Sequence, residues 1–131
     1  MSKDSRRYQN PDKDYIAYIE YPYARCRTEI GVSRGNVEWF IVRLEYNVNT
    51  RFDEPDDWRQ VVGFDHHPDV DWGHDITVER LHLDVYKNER KAYVQRGFPE
   101  IEVNRAPAFC ERFLDEHADH YLDQFEDWHD L

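Results

Sequence analysis

The 131-residue chain is 40% apolar and 15% aromatic with a net charge of -11, which suits a single domain around one core. No window approaches the roughly 20 uninterrupted apolar residues of a membrane helix, and M-S-K-D-S-R-R-Y-Q-N-P-D-K-D lacks the apolar stretch of a signal peptide. The expectation is a soluble cytoplasmic protein, in which two cysteines, Cys26 and Cys110, are core-lining thiols rather than a disulfide framework.

Charge is unevenly spread. Residues 1 to 51 hold nine Lys or Arg against seven acids, whereas residues 52 to 131 hold eight against twenty-one. Thirteen arginines stand against only four lysines, and Asp outnumbers Glu, a surface style like that of proteins adapted to high intracellular salt. Salt shortens every surface field, so the acidity neither demands a basic partner nor excludes nucleic acid.

Residues 1 to 14, polar and interrupted by Pro11, read as a flexible arm ahead of a single domain over 15 to 131. Tyr15 onward, Y-I-A-Y-I-E-Y-P-Y, is aromatic and β-branched and predicts a strand ending at Pro22. Cys26 to Val32 predicts another, stopped by a turn over Ser33 to Asn36. Val37 to Val48 alternates, placing Phe40, Val42, Leu44 and Tyr46 on one face and Trp39, Ile41, Arg43 and Glu45 on the other. After an acidic loop over residues 49 to 57, Trp58, Gln60, Val62 and Phe64 are expected to share a face. Ile76 and Val78 are out of phase with Leu81, Leu83 and Val85, which predicts a β-bulge near Glu79. A turn at Asn88-Glu89 and a short strand A-Y-V-Q-R-G follow. Asn104 then reads as the N-cap of a helix over 105 to 129, whose apolar positions Phe109, Cys110, Phe113, Leu114, Ala118, Tyr121, Leu122, Phe125 and Trp128 recur at helical spacing. Its acidic positions, from Glu111 to Asp127, read as a solvated face. The fold class is α+β: an antiparallel sheet of five or six strands packed on one long C-terminal helix.

Between Phe64 and Tyr86 lie four of the seven histidines and six acidic residues. Apolar must meet apolar across antiparallel strands, and pairing Val62 with Leu83 sets Phe64 against Leu81. The reverse face then opposes Asp65 to Arg80, Gly63 to His82 and Val61 to Asp84, with a hollow at Gly63 beside His82. His66, His67 and His74 fall in the connecting loop at the pocket edge.

Three chemistries suit this face. In the first, His82 is a general acid or base oriented by Asp84 or Asp65, and Arg80 with Arg43 donates to a phosphate, as metal-free RNA cleavage requires. It lacks a second acid unless a loop histidine closes over. In the second, some of Asp65, His66, His67, His74, His82 and Asp84 bind a divalent ion, though the spacing matches no standard metal signature. In the third, Asp65 and Arg80 form a cross-strand ion pair and His82 is a satisfied half-buried histidine.

No G-x-G-x-x-G, P-loop, H-E-x-x-H, C-x-x-C or G-x-S-x-G is present. The stretch F-D-H-H-P-D-V-D-W-G-H-D-I-T-V-E-R-L-H-L-D-V-Y followed by a terminal helix resembles a short family of halophilic archaeal proteins. More distantly, it is similar to the TumE-type toxins of toxin-antitoxin pairs. There a strand ends in Asp, a histidine-bearing loop follows, a second strand carries His, and a helix closes a small α+β domain. Asp65, His74 and His82 match across about residues 37 to 126, while the acidic insertion before Trp72 and the Asp-rich helix depart from that pattern. The expectation is a toxin-like protein acting on RNA without a cofactor, with Asp65, Arg80, His82 and Asp84 catalytic and Arg43, His66, His67 and His74 binding substrate. The alternatives are a partner-binding or antitoxin-like module, presenting the aromatic edge around Tyr15, Tyr18, Tyr21 and Tyr23 or the acidic helix, and a divalent-metal-binding protein.

Overall fold

The computed structural model describes residues 10–49 and 53–131. The chain runs β1 (Lys13–Glu20), β2 (Ala24–Ser33), β3 (Asn36–Asn47) and β4 (Trp58–His66), then a single helical turn α1 (Ile76–Glu79). It continues through β5 (Leu83–Lys87), β6 (Arg90–Gln95) and a 3-10 turn (Val103–Arg105) into α2 (Ala106–His129). The six strands form one antiparallel sheet in sequence order, packed against α2. Tight turns at Arg34-Gly35 and Asn88-Glu89 place all four residues at positive φ, as two-residue hairpins require. Most of the expected arm, residues 1 to 9, lies outside the described residues. Its last two positions, Lys13 and Asp14, already belong to β1.

The alternation in β3 sets the layers. Phe40, Val42 and Leu44 are fully buried on one face against Leu114, Ala118, Leu122 and Phe125 of α2. Burial at roughly 1.5–3 kcal/mol for each large side chain holds the helix across the sheet. Asn104 does not cap α2. Its Oδ1 accepts from Val37 N (2.8 Å) and its Nδ2 donates to Asn36 Oδ1 (2.9 Å), which staples the approach to the helix onto the β2–β3 turn. Glu111 and Glu126 are also drawn off the solvated face, accepting from the Thr28 hydroxyl at 2.7 Å and the Tyr46 hydroxyl at 2.8 Å. Cys26 and Cys110 are buried free thiols. No helix among the described residues is long and apolar enough to cross a membrane.

Three details of β4 and β5 depart from the periodic reading. The register between β3 and β4 shifts because Leu44 faces Val62 while Glu45 faces Gln60, leaving Val61 as the extra residue. The bulge therefore sits in β4 rather than at Glu79, and it turns Trp58 and Gln60 to the polar face instead of joining them to Val62 and Phe64. Residues 76 to 79 form a helical turn because Asp75 caps it, accepting from Thr77 N (3.0 Å), and Arg80 then leaves at φ 64. Finally, Val62 pairs with Val85 and Gly63 with Asp84, a slide of two residues from the expected pairing of Val62 with Leu83. That ladder is only two pairs long, so β4 and β5 diverge beyond Gly63.

Candidate functional site

The room between the diverging strands is filled by the loop leading to α1, and His66 and His67 fix its path. His66 Nδ1 accepts from Ile76 N (3.1 Å), so that ring is a neutral buried acceptor, and burial lowers its pKa. His67, 1% exposed, stacks on the Trp39 indole at 4.8 Å and 16°, with Trp72 edge-on at 5.4 Å. Trp39 lies flat on Gly31, where a Cβ would come within 2.0 Å of its Nε1. His67 N donates to His74 O at 2.8 Å, closing the loop. Both rings are thus buried and taken up in packing and backbone contacts of the loop, away from the cleft lining.

His74 arrives beside the strands. Its backbone N donates to Asp65 Oδ2 (2.9 Å), and its Nε2 stands 3.4 Å from Asp84 Oδ2 and 3.7 Å from Asp65 Oδ1. On the other side of the ring, Nδ1 is 3.5 Å from Glu79 Oε2. The His82 ring lies edge-on with a centroid separation of 3.9 Å, and its Nε2 is 3.9 Å from Asp84 Oδ1. His74, His82 and Asp84 each present a ligand atom, all within 4.8 Å of one another.

Burial shapes this cluster. The His82 side chain is 2% exposed and its pKa is lowered by desolvation and then by His74, so the ring is held neutral with a lone pair to offer. Desolvation raises the pKa of Asp65 despite the hydrogen bond from His74. His82 Nδ1 and Asp84 Oδ1 are buried without a hydrogen-bond partner, a state that costs free energy unless a ligand relieves it.

Asp65 and Asp84 form part of the wall of an open cleft of about 400 Å³, together with Trp72, Tyr86, Lys91, Gln60 and Gly63. The hollow expected at Gly63 is occupied by Gln60, whose Nε2 would lie 2.5 Å from an added Cβ. Lys91 Nζ reaches Asp84 Oδ2 at 3.3 Å. Tyr86 stays a phenol, its pKa raised by burial and then by Asp84.

The structure therefore brings together Asp65, His74, His82 and Asp84 but not all the other expected residues. Arg80 is exposed beyond α1, makes no ion pair with Asp65 and faces away from the role expected of it, because the helical turn replaced the strand that would have aimed it. Arg43 does line the cleft, yet its Nη2 is 3.3 Å from Glu29 and its Nε 3.1 Å from Glu45, so its charge is already matched. Sequence reasoning missed Glu79, Trp72, Tyr86 and Lys91. The turn at Asn88-Glu89 pairs Tyr86 with Lys91 and brings the lysine back to Asp84, a consequence the turn residues themselves carry.

No curated protein and no solved structure matches the chain. The family model of the domain of unknown function DUF7718 matches residues 9–131, and the chain belongs to that family.

Proposed function

We propose that the protein is a small toxin-like enzyme that cleaves RNA at the cleft walled by Asp65, Asp84, Tyr86 and Lys91. The observation that carries this reading is the convergence of Asp65, His74 and His82, the three positions that match TumE-type toxins, on one cluster completed by Asp84. The cleft offers what a single strand needs: indole and phenol rings at Trp72 and Tyr86 for a base, and the Lys91 ammonium for a phosphate. The fitting reaction is transesterification. The ribose 2′-oxygen attacks phosphorus, its proton passes to a base on the cleft wall, the P–O5′ bond breaks, and O5′ leaves with a proton.

The test is inducible expression of wild type beside His82→Ala in a salt-matched host, following growth and total RNA. Growth arrest with RNA loss in the wild type alone, the variant being folded by circular dichroism, is the expected result. Two harmless proteins and whole RNA would remove this reading.

A second reading, a partner-binding module, is favoured by β1 and the turn after it, where Tyr15, Ile16, Tyr18, Tyr21 and Tyr23 are 43–75% exposed on a sheet edge. Activity of that kind would survive His82→Ala.

A further inference from the structure

The geometry of the cluster is hard to reconcile with an imidazole pair working on opposite sides of a phosphate. In-line displacement sets the attacking and leaving oxygens on opposite faces of phosphorus, so an acid and a base must stand apart by the width of that group plus two hydrogen bonds. His74 and His82 are instead in ring contact at 3.9 Å, and the His82 side chain, 2% exposed, lies beside the carboxylates that face the cleft. Their lone pairs suit a single central atom better than two separated oxygens.

Charge leads to the same place. Asp65 and Asp84 both approach His74 Nε2, and Asp84, 4% exposed, keeps Oδ1 without a hydrogen bond beside His82. Two carboxylates on the wall of a cleft, Asp84 buried and Asp65 half-buried, repel any phosphate unless a cation accompanies them. Lys91 supplies one positive charge, but from a side chain 43% exposed that reaches in from the rim. On the far side of His74, Glu79 lies 3.5 Å from Nδ1 and favours the tautomer that leaves Nε2 free to ligate. A carboxylate behind a histidine is the arrangement that metal-binding imidazoles adopt.

We propose that His74, His82 and Asp84 bind one divalent first-row transition-metal ion, with Zn2+ or Mn2+ as the class and Asp65 beside them on His74, and that Lys91 occupies the cation's side of Asp84 until the ion displaces it. Two imidazole nitrogens with carboxylate oxygens suit these ions, whereas Mg2+ and Ca2+ favour oxygen alone. This shares the site of the proposed function and rests on that reading only for its catalytic consequence. There, the ion would offset the two carboxylates of the cleft wall that otherwise repel RNA. It would also hold a water of lowered pKa within the site, an acceptor for the 2′-hydroxyl proton. Displaced Lys91 is then available at the rim to a phosphate oxygen.

The experiment is calorimetric titration of chelator-stripped full-length protein with Zn2+, Mn2+ and Mg2+ in turn, alongside thermal unfolding with and without each ion. One Zn2+ or Mn2+ per chain, a raised Tm and no Mg2+ binding are expected. His82→Ala and Asp84→Asn should abolish binding and Glu79→Gln should weaken it about tenfold. His117→Ala, which removes an exposed histidine of α2, should leave it unchanged. Lys91→Met, which needs no buried change and so guards against a misfolded site variant, should tighten binding. Absence of Zn2+ and Mn2+ binding, or binding equal in His82→Ala and wild type, overturns the inference, and unaltered affinity in Lys91→Met overturns the displacement. Bound metal with intact RNA in the expression test rejects the RNA reading alone, whereas RNA cleavage by a protein that binds no metal rejects this inference alone.

Discussion

On the face of the sheet covered by α2, Val42, Leu44, Val62 and Leu83 are buried among Leu114, Ala118 and Phe125, and burial there is mainly apolar contact, with the Thr28 and Tyr46 hydroxyls bonded to α2 at its margin. On the opposite face, away from α2, Glu29, Glu45, His82 and Asp84 are also 9% exposed or less. Cross-strand neighbours keep that second face dry. Arg25 pairs with Glu45 at 2.7 Å while lying over Trp58 at 3.9 Å, and Arg43 bridges Glu29 and Glu45. Buried charge persists where it is partnered. Moving across the sheet, ion pairs link the charges of β2 and β3, whereas His82 Nδ1 and Asp84 Oδ1 are buried without a hydrogen-bond partner where β4 and β5 diverge. One face is thus organised to exclude water and the other to retain charge.

The contrast can be broken most forcefully with a pair of substitutions. Leu114→Ala, at a fully buried position, should lower unfolding free energy in urea by about 3 kcal/mol. Asp65→Asn should change it by less than about 1 kcal/mol, because burial already disfavours the ionised carboxylate and an amide oxygen can still accept from His74 N. Equal losses would mean that the polar wall is structural.

Gly31→Ala probes the connection between the packing residues and the site. The new methyl meets the Trp39 indole, which carries the stacked His67 and through it the loop holding His74. A loss of about 1–3 kcal/mol is expected together with weaker cation binding in the same titration. Unchanged binding would separate the loop's packing from the placement of His74.

The smallest effect is in pH. His66 has its pKa lowered in the folded state by burial, so below its unfolded value of about 6.5 the unfolded chain binds a proton that the folded one refuses. Its contribution is complete above that pH and is lost as pH falls toward the folded pKa. The stability difference between wild type and His66→Gln should therefore narrow on acidification from pH 7 to pH 5, with a slope of no more than about 1.4 kcal/mol per pH unit. A pH-independent difference would show that the ring does not titrate with folding.

The helix and the alternation of β3 were legible because their periods repeat over many residues, so single exceptions such as Glu111 did not obscure them. The register of β4 against β5 was not. A slide of two residues leaves every side chain on its own face, and apolar matching cannot distinguish Val62 against Leu83 from Val62 against Val85. Arg80 was misplaced because I-T-V-E is β-branched enough to read as a strand, whereas the Asp75 cap and the Glu79 side chain, which accepts from Asp75 N at 3.2 Å, stabilise a turn. Alternation alone put Asp65, His82 and Asp84 on one face, and the structure adds His74 from the loop beside them.

The bulge at Val61 divides β4 into two reading frames. Residues 58 to 60 send alternate side chains to the cleft in one phase, and residues 62 to 66 do so in the other, so the strand can supply Trp58, Gln60, Gly63 and Asp65 to a single surface. Unbroken alternation through the same nine residues would exchange inside for outside along half the strand, driving Gln60 toward α2 and Arg59 toward the cleft. Length changes are tolerated in surface connections such as residues 53 to 57. Within β4 the count of residues, as much as their identity, specifies the site.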